Sequence, residues 1–232
     1  MKSFIAATCT VVLLVAKAEA QSFCASDGQP APVQLMERFV NADCDSCWSA
    51  AATPRPGSRA VALDWIIPGK RGEEGPLSGV ATRDALARLE ALKKTIPTQS
   101  ITVLHRVKGL RGATLRVAHG LPLADYVGAS IELKPLPKTA KDQRWTSWLA
   151  LVETLPAGTE RSPVVRNLVR NLLQTNWDGR KQLSKDEQHR FFETRSMNIA
   201  TAANPNRLRV IGWVEDENGQ VVAAAQSRCI VP

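Results

Sequence analysis

Aromatic residues are scarce in this chain. Phe, Trp and Tyr make up 5% of its 232 residues, and Tyr126 is the single tyrosine. Proteins that bind single-stranded nucleic acid stack the bases on aromatic side chains that lie beside basic ones. Here the tryptophans are scattered along the chain, so we expect no nucleic-acid partner even though the formal net charge is +8.

Histidine is scarcer still, and no familiar catalytic motif is present. The three histidines, His105, His119 and His189, are isolated from one another and from close pairs of other metal ligands. The sequence also lacks a Ser/His/Asp motif, a Gly-rich phosphate loop and a dinucleotide-binding fingerprint. We therefore expect neither a metal nor a cofactor.

Long apolar runs are absent except at the N-terminus. Residues 1–20 combine Lys2, an apolar run at 4–16 and a small-x-small sequence at 18–20, which is typical of a cleaved signal peptide. The alternative is a buried N-terminal strand or helix. No later segment approaches the roughly 20 apolar residues that a membrane helix needs. We predict an exported protein, periplasmic or secreted, without a membrane span.

Removal of the signal peptide would leave four of the five cysteines. An even number of cysteines in an oxidising compartment fits two disulfides. Cys44 and Cys47 are close neighbours, and pairing them leaves Cys24 to bond with Cys229. In the alternative, Cys24 and Cys229 are free or bridge different chains.

The first half of the mature chain alternates strand and helix patterns. The run AVALDWII is apolar almost throughout, which is typical of a strand covered on both faces. Thr82 is placed to cap the helix that follows it. The predicted strands are 33–40, 60–67 and 101–107, and the predicted helices are 46–52 and 82–94. This order predicts an α/β layer with parallel strand pairs over residues 21–110.

Residues 111–232 are predicted to form a β-rich domain that contains one helix. Strand patterns recur in four stretches, and the Asn-Gly pair at 218–219 between two apolar runs is a strong hairpin signal. The predicted helix begins at the Ser-Pro pair at 162–163 and continues as VVRNLVRNLLQ. Its valines and leucines would line the buried face, and Arg166 and Arg170 the solvent-exposed face.

Cys44 and Cys47 carry the clearest chemical signal. A strand that ends in a C-x-x-C motif and opens a helix is the arrangement of thioredoxin-like redox proteins, and a helix N-terminus favours the thiolate. Three interpretations stay open: a redox pair in which Cys44 attacks and Cys47 resolves, a structural disulfide, or a metal clip. Negative charge on Asp43 and Asp45 would disfavour the Cys44 thiolate, and a poorly stabilised thiolate favours the disulfide.

Asp64 interrupts the apolar run at 60–67. A carboxylate there costs free energy unless it has a partner. Because the C-terminal ends of adjacent parallel strands lie together, Asp64 could act as a proton acceptor for Cys47. The alternative is a strand residue bonded to the backbone or to a basic side chain.

Three stretches together resemble a bacterial secreted thioredoxin-like family of unknown function: VQLMERFVNADCDSCW, ALDW and TERSPVVRNLVRNLLQTNWDG. The resemblance implies a thioredoxin-like domain with Cys44 and Cys47 as the cysteine pair, followed by an added β-rich half with a Val-Val-Arg helix. The resemblance also implies that eight further residues correspond to motif positions of the family. They are Asp64, Trp65, Val164, Val165, Arg166, Trp177, Asp178 and Gly179. Thioredoxin-like enzymes have a cis-proline that faces the cysteine pair, and Pro97 is the candidate here.

Two functions follow from these observations. One is an exported, non-catalytic binding or scaffold protein of the cell envelope with a structural Cys44–Cys47 disulfide, which the acidic flanks and the short helix favour. The other is a periplasmic thiol–disulfide oxidoreductase that uses Cys44 and Cys47. The expected partner is an envelope protein in the first case and a thiol substrate in the second.

Overall fold

The computed structural model describes residues 24–137, 142–181, 184–185 and 189–229. The predicted signal peptide at 1–20 lies outside these residues. Within them, no α-helix has both the length and the apolar character needed to cross a bilayer.

Strands dominate the described chain. The strands are β1 (Cys24–Ala25), β2 (Gln34–Asn41), β3 (Ala60–Ile67), β4 (Ser100–Arg106), β5 (Thr114–His119), β6 (Tyr126–Lys134), β7 (Arg144–Leu155), β8 (Arg166–Asp178), β9 (Phe191–Asn198), β10 (Leu208–Glu215), β11 (Val221–Gln226) and β12 (Arg228–Cys229). The helices are α1 (Asp45–Trp48) and α2 (Arg83–Ala91). One sheet has the strand order β12-β1-β5-β6-β9, and the other has the order β11-β10-β7-β8-β3-β2-β4.

The predicted α/β fold with a thioredoxin-like layer is wrong. The described residues contain two α-helices, of four and nine residues, which is too little helix to cover both faces of a sheet. The seven-stranded sheet combines β2, β3 and β4 with β7, β8, β10 and β11, so strands from both predicted halves share one sheet. β2 and β3 pair in parallel, as expected, but β4 runs antiparallel to β2.

The helix predicted after Ser162 is also wrong, because this segment forms β8. Its apolar residues recur in pairs four positions apart, which imitates one face of a helix. In the structure this segment instead pairs antiparallel with β7 and contains a β-bulge. The register shifts between Leu151 and Val152, so that Arg170 of β8 has no partner residue in β7. Residues 166–169 are all buried, so no alternation indicates a strand there.

Several local predictions are confirmed. β3 has the predicted bounds. α2 begins after Thr82, whose side-chain oxygen accepts a hydrogen bond from the backbone N–H of Ala85 at 3.3 Å. The turn at 218–219 joins β10 and β11, which pair antiparallel. Gly219 has a φ of +72°, a left-handed conformation that glycine adopts without steric cost.

One hydrophobic core lies between the two sheets. Its buried residues come from β5, β6 and β9 on one side and from β7, β8, β10 and β11 on the other. The sheets approach closely at Gly212 of β10, where an added Cβ would lie 2.5 Å from Val117 Cγ1 and 2.9 Å from Ile131 Cδ1. A larger residue at this position would therefore push the sheets apart.

A second core lies on the opposite face of the seven-stranded sheet, where Ala85 and Leu89 of α2 cover it. Because side chains alternate along a strand, β7 contributes to both cores. Leu149 points into the first core and Trp148 into the second. The seven-stranded sheet is thus buried on both faces at its centre.

Candidate functional site

Cys44 and Cys47 lie directly after β2, at the start of α1. The two residues are disulfide-bonded, and each is partly exposed. α1 is a single turn of four residues, shorter than the predicted helix at 46–52. Cys47 packs against a small hydrophobic cluster that includes Ile66 and Leu77, so one side of the disulfide faces the protein interior.

Trp48 anchors this turn to the segment that leads into β8. Its side chain is 4% exposed, and its indole N–H donates to the backbone carbonyl of Glu160 at 2.7 Å. The guanidinium of Arg166 lies 4.5 Å from the centroid of the Trp48 ring, which adds a cation–π contact. The position of α1 is therefore held by residues more than a hundred positions away in sequence.

Asp43, on one side of Cys44, is bonded to a neighbouring loop. Its carboxylate accepts hydrogen bonds from the backbone N–H groups of Lys70 at 2.8 Å and Arg71 at 3.3 Å. An added Cβ at Gly69 would lie 2.1 Å from Asp43 Oδ1, so only glycine lets the loop approach so closely. The Asp43 carboxylate is thus held against this loop by two backbone N–H groups.

Asp45, on the other side of Cys44, forms a bidentate ion pair with Arg161. Both N–O distances are 2.8 Å. The pair is exposed, with 66% of the Arg161 side chain and 40% of the Asp45 side chain accessible to solvent. Because the arginine offsets the carboxylate charge, Asp45 disfavours a Cys44 thiolate less than the sequence alone suggests.

Asp64 is fully buried and already has three hydrogen-bond donors. Arg38 donates at 2.7 Å, Arg166 at 2.9 Å and the backbone N–H of Asn167 at 2.9 Å, and together they occupy both carboxylate oxygens. Among the described residues no hydrogen bond joins Asp64 to Cys47. The structure therefore places Asp64 as an ion-paired strand residue and does not bring it to Cys47 as a proton acceptor.

The two arginines that bind Asp64 also bind backbone carbonyls at the end of α1 and in the segment that follows it. Arg166 donates to the carbonyl of Trp48 at 2.7 Å, and Arg38 donates to the carbonyl of Pro54 at 2.8 Å. Burial lowers the pKa of Arg166, and the charge of Asp64 opposes this. Arg166 was predicted on a solvent-exposed helix face. In β8 it instead links buried Asp64 to α1, the turn that carries Cys44 and Cys47 and is called the cysteine turn below.

Pro97 does not have the conformation expected of a cis-proline beside the cysteine pair. In the described part of the chain the cis peptide bond is that between Lys134 and Pro135. The carbonyl of Pro97 accepts a hydrogen bond from the side-chain amide of Asn41 at 3.0 Å. Pro97 therefore lies near the end of β2, but as a trans residue.

Cys24 and Cys229 form the second disulfide, which spans 205 positions. β1 lies between β12 and β5, so Cys24 is opposite Cys229 on one side and opposite His119 on the other. The sulfurs and a ring nitrogen of His119 lie within 4.8 Å of one another. Burial lowers the pKa of His119, which is 4% exposed. No local sequence pattern indicates this contact, because Cys24 and Cys229 each lie about a hundred positions from His119 in the chain.

A further buried cluster joins acidic, basic and tryptophan side chains in the second core. Arg88 pairs with Glu37 at 2.7 Å and with Glu215 at 2.6 Å, and His105 Nε2 lies 2.9 Å from Glu37. Three indole N–H groups donate to the same two carboxylates, those of Trp65, Trp148 and Trp213. Burial acts to raise the pKa of Glu37, but the Arg88 charge and the hydrogen bonds from His105 and Arg88 outweigh it and lower this pKa to about 2.

A cleft of about 890 Å³ opens beside the second disulfide, and none of the residues around Cys44 and Cys47 lines it. Its walls come from the segment after β1, the start of β3, the segment before β5, and β11. Five basic residues line it, namely Arg59, Lys108, Arg116, Arg209 and Arg228. Asp27 is the acidic residue of the lining, and it forms an ion pair with Arg116 at 2.8 Å.

Arg209 differs from the other basic residues of the cleft. It is partly buried, and this burial lowers its pKa. Its guanidinium donates to the carbonyl of Leu208 at 2.6 Å, and no carboxylate of the described residues pairs with it. A partly buried arginine that lines a cleft and pairs with no described carboxylate is suited to bind an anionic group.

Comparison with known proteins yields one distant structural similarity to report. No protein-family model matches the chain, and no curated protein matches it. Among solved structures, HBP35 of Porphyromonas gingivalis superposes with a TM-score of 0.55 at 11% sequence identity, over 84% of this chain and 74% of that one. This similarity concerns the fold alone.

Proposed function

We propose that this chain is an exported binding protein that holds an anionic ligand in the cleft at Arg209. The observation that carries the proposal is the partly buried guanidinium of Arg209, which has no carboxylate partner among the described residues and lines a cleft of about 890 Å³. Val33, Val61 and Leu110 are among the apolar lining residues. The ligand class is therefore an anion with an apolar body.

The surroundings of Cys44 and Cys47 support a structural, non-catalytic disulfide in this protein. Cys47 packs into a hydrophobic cluster, and the turn that carries the pair is bonded to Arg166 and Arg38. Asp64, the residue predicted as a proton acceptor for Cys47, is occupied by the same two arginines. Asp64, Arg38 and Arg166 are therefore bonded to one another and to the backbone, and none of them is free to accept a proton from a thiol.

Export is supported by the signal-peptide pattern at 1–20 and by the two disulfides, because disulfides persist in oxidising compartments. The resemblance to a secreted C-x-x-C family points the same way. The resemblance rests on the cysteine pair after β2, on the Asp-Trp sequence of β3 and on the stretch at 159–179, and the fold does not contain the thioredoxin layer that it implied.

The binding role is tested with anilinonaphthalene sulfonate, a fluorescent dye with an apolar ring system and one negative charge. We expect saturable binding to the folded protein, and Arg209→Gln should weaken it at least about tenfold, since a hydrogen bond to a charged group contributes about 1.5–3 kcal/mol. Arg195→Gln is the matched control, because Arg195 is exposed, pairs with Glu193 and does not line the cleft. Equal dye affinity in wild type and Arg209→Gln would count against the cleft as an anion site.

A second candidate function, thiol–disulfide exchange, is favoured by the partial exposure of both Cys44 and Cys47. In this case Cys44 attacks the substrate disulfide and Cys47 resolves the mixed disulfide. An insulin-reduction assay with Cys44→Ser as the control tests it. Turnover that disappears in the variant supports the enzyme, whereas no turnover and a reduction potential below about −300 mV support the structural disulfide.

A further inference from the structure

We propose that reduction converts Cys24, Cys229 and His119 into a binding site for a thiophilic divalent cation such as Zn²⁺. The two sulfurs and a ring nitrogen lie within 4.8 Å of one another. Tetrahedral zinc bonds thiolate sulfur and imidazole nitrogen at about 2.0–2.3 Å, which places ligand atoms roughly 3–4 Å apart. We expect rotation of these three side chains to bring the ligand atoms to that spacing after the disulfide is opened.

His119 has a hydrogen-bond pattern that suits a metal-binding histidine. Its Nδ1 lies 2.8 Å from the carbonyl oxygen of Gly120, and because a carbonyl only accepts, Nδ1 carries the hydrogen. Nε2 then has a free lone pair, which is the coordinating form of the ring. This nitrogen is buried and makes no hydrogen bond of normal geometry in the described chain, although the backbone of Leu208 also lies close to the ring, and the residue is 4% exposed. A buried ring nitrogen without a partner is costly, and a cation would supply the missing partner.

The backbone keeps the three ligands together after the disulfide is opened. β1 pairs with β12 through Cys24 opposite Cys229, and with β5 through Cys24 opposite His119. These pairings consist of strand hydrogen bonds that do not depend on the sulfur–sulfur bond. Cys24 is fully buried, whereas Cys229 is partly exposed, so a reductant and a cation can approach from the Cys229 side.

The chemistry requires a dithiol as reductant. One thiolate of the dithiol attacks the Cys229 sulfur, a mixed disulfide forms, and Cys24 leaves as a thiolate. The second thiol of the reductant then attacks the mixed disulfide, closes its own disulfide and releases Cys229. The dithiol is oxidised by two electrons and the protein disulfide is reduced by two. When the cation binds, any protons on the two thiols go to solvent, and the two thiolates offset the charge of the cation.

The test uses the mature protein with Cys44→Ser and Cys47→Ser, so that Cys24 and Cys229 are the cysteines that remain. The protein is reduced with dithiothreitol, freed of reductant without oxygen and titrated with Co²⁺, whose charge-transfer absorption reports thiolate coordination. We expect one equivalent of Co²⁺ to bind the reduced protein, Zn²⁺ to displace it, and the oxidised protein to give no such band.

His119→Gln should weaken Co²⁺ binding at least about tenfold and change the visible bands of the bound ion, because a nitrogen ligand is lost. His189→Gln is the matched control, since His189 is exposed and lies elsewhere, and it should bind as the parent protein does. Circular dichroism follows folding throughout. The proposal is overturned if the reduced protein unfolds and Co²⁺ does not restore it, if no thiolate–cobalt band appears, or if His119→Gln binds as tightly as the control.

Discussion

Individual buried charges determine how the cysteine turn is held. Asp64 accepts from Arg38 and Arg166, and both arginines also donate to backbone carbonyls, Arg166 to that of Trp48 at the end of α1 and Arg38 to that of Pro54 after it. A buried ion pair is costly to form but more costly to break, because the remaining charge has lost its partner in a medium of low polarity. Removal of the acid should therefore affect both arginines and the turn that they hold.

Asp64→Asn should lower the free energy of unfolding by about 3–5 kcal/mol, since it leaves two buried guanidinium groups without a counter-ion. Arg161→Gln, which breaks the exposed pair with Asp45 near the same turn, should cost less than about 1 kcal/mol. Urea unfolding at neutral pH measures both variants. If the two variants lost similar free energies of unfolding, the ion pairs of Asp64 would contribute no more than an exposed ion pair does.

Glu37 makes folding stability depend on acidity. Its pKa is about 2 in the folded protein, against an ordinary value of 4.5. The stabilisation from this carboxylate is complete above pH 4.5 and is lost as the pH falls towards 2, because the folded state must then give up its bonds to Arg88 and His105. Urea unfolding between these pH values should show a steeper decline in wild type than in Glu37→Gln, which is less stable at pH 7. Glu90→Gln, on the exposed side of α2, should follow wild type.

At the scale of elements, what the sequence could reveal depended on local pattern. β3 could be bounded because its apolar run ends abruptly, and the cap at Thr82 and the hairpin at 218–219 follow from side-chain chemistry within a few residues. β8 could not be recognised as a strand, since its bulge at Arg170 and the burial of both faces at its start accompany a helix-like spacing of apolar residues. The pairing of Arg166 with Asp64 spans about a hundred residues, and no local pattern encodes it.

The place of β3 inside the sheet leads to a prediction for Val61. β3 has β2 on one side and β8 on the other, and Val61 is 2% exposed. Val61→Asp should destabilise the protein by more than about 4 kcal/mol or prevent folding, because it buries a charge without a partner. Val165→Asp makes the same change at a residue that is 51% exposed, and it should cost less than about 1 kcal/mol. Thermal unfolding that gives equal shifts for both would contradict a central position for β3.

The whole molecule is organised around one seven-stranded sheet with a core on each face. The five-stranded sheet closes the first core, and its strands β1 and β12 carry the Cys24–Cys229 disulfide. The segments next to these strands also form walls of the cleft. The disulfide therefore joins the two ends of the described chain at the place where the proposed ligand binds.

The two disulfides should differ strongly in what they contribute to stability. In the chain-entropy account, a crosslink that closes a loop of about 200 residues removes about 5 kcal/mol of unfolded-state freedom, and one that closes a loop of four residues about 2 kcal/mol. The Cys24–Cys229 bond spans 205 positions and the Cys44–Cys47 bond spans 3. Cys24→Ala with Cys229→Ala should therefore lower the free energy of unfolding more than Cys44→Ala with Cys47→Ala, as measured by urea unfolding at one pH. The same variants should also differ in dye binding, because residues close to the first pair, Ser26 and Arg228, line the cleft and none of the residues around the second pair does. A larger loss from the Cys44–Cys47 pair would mean that packing of Cys47 against Ile66 and Leu77 outweighs the entropy of the long loop.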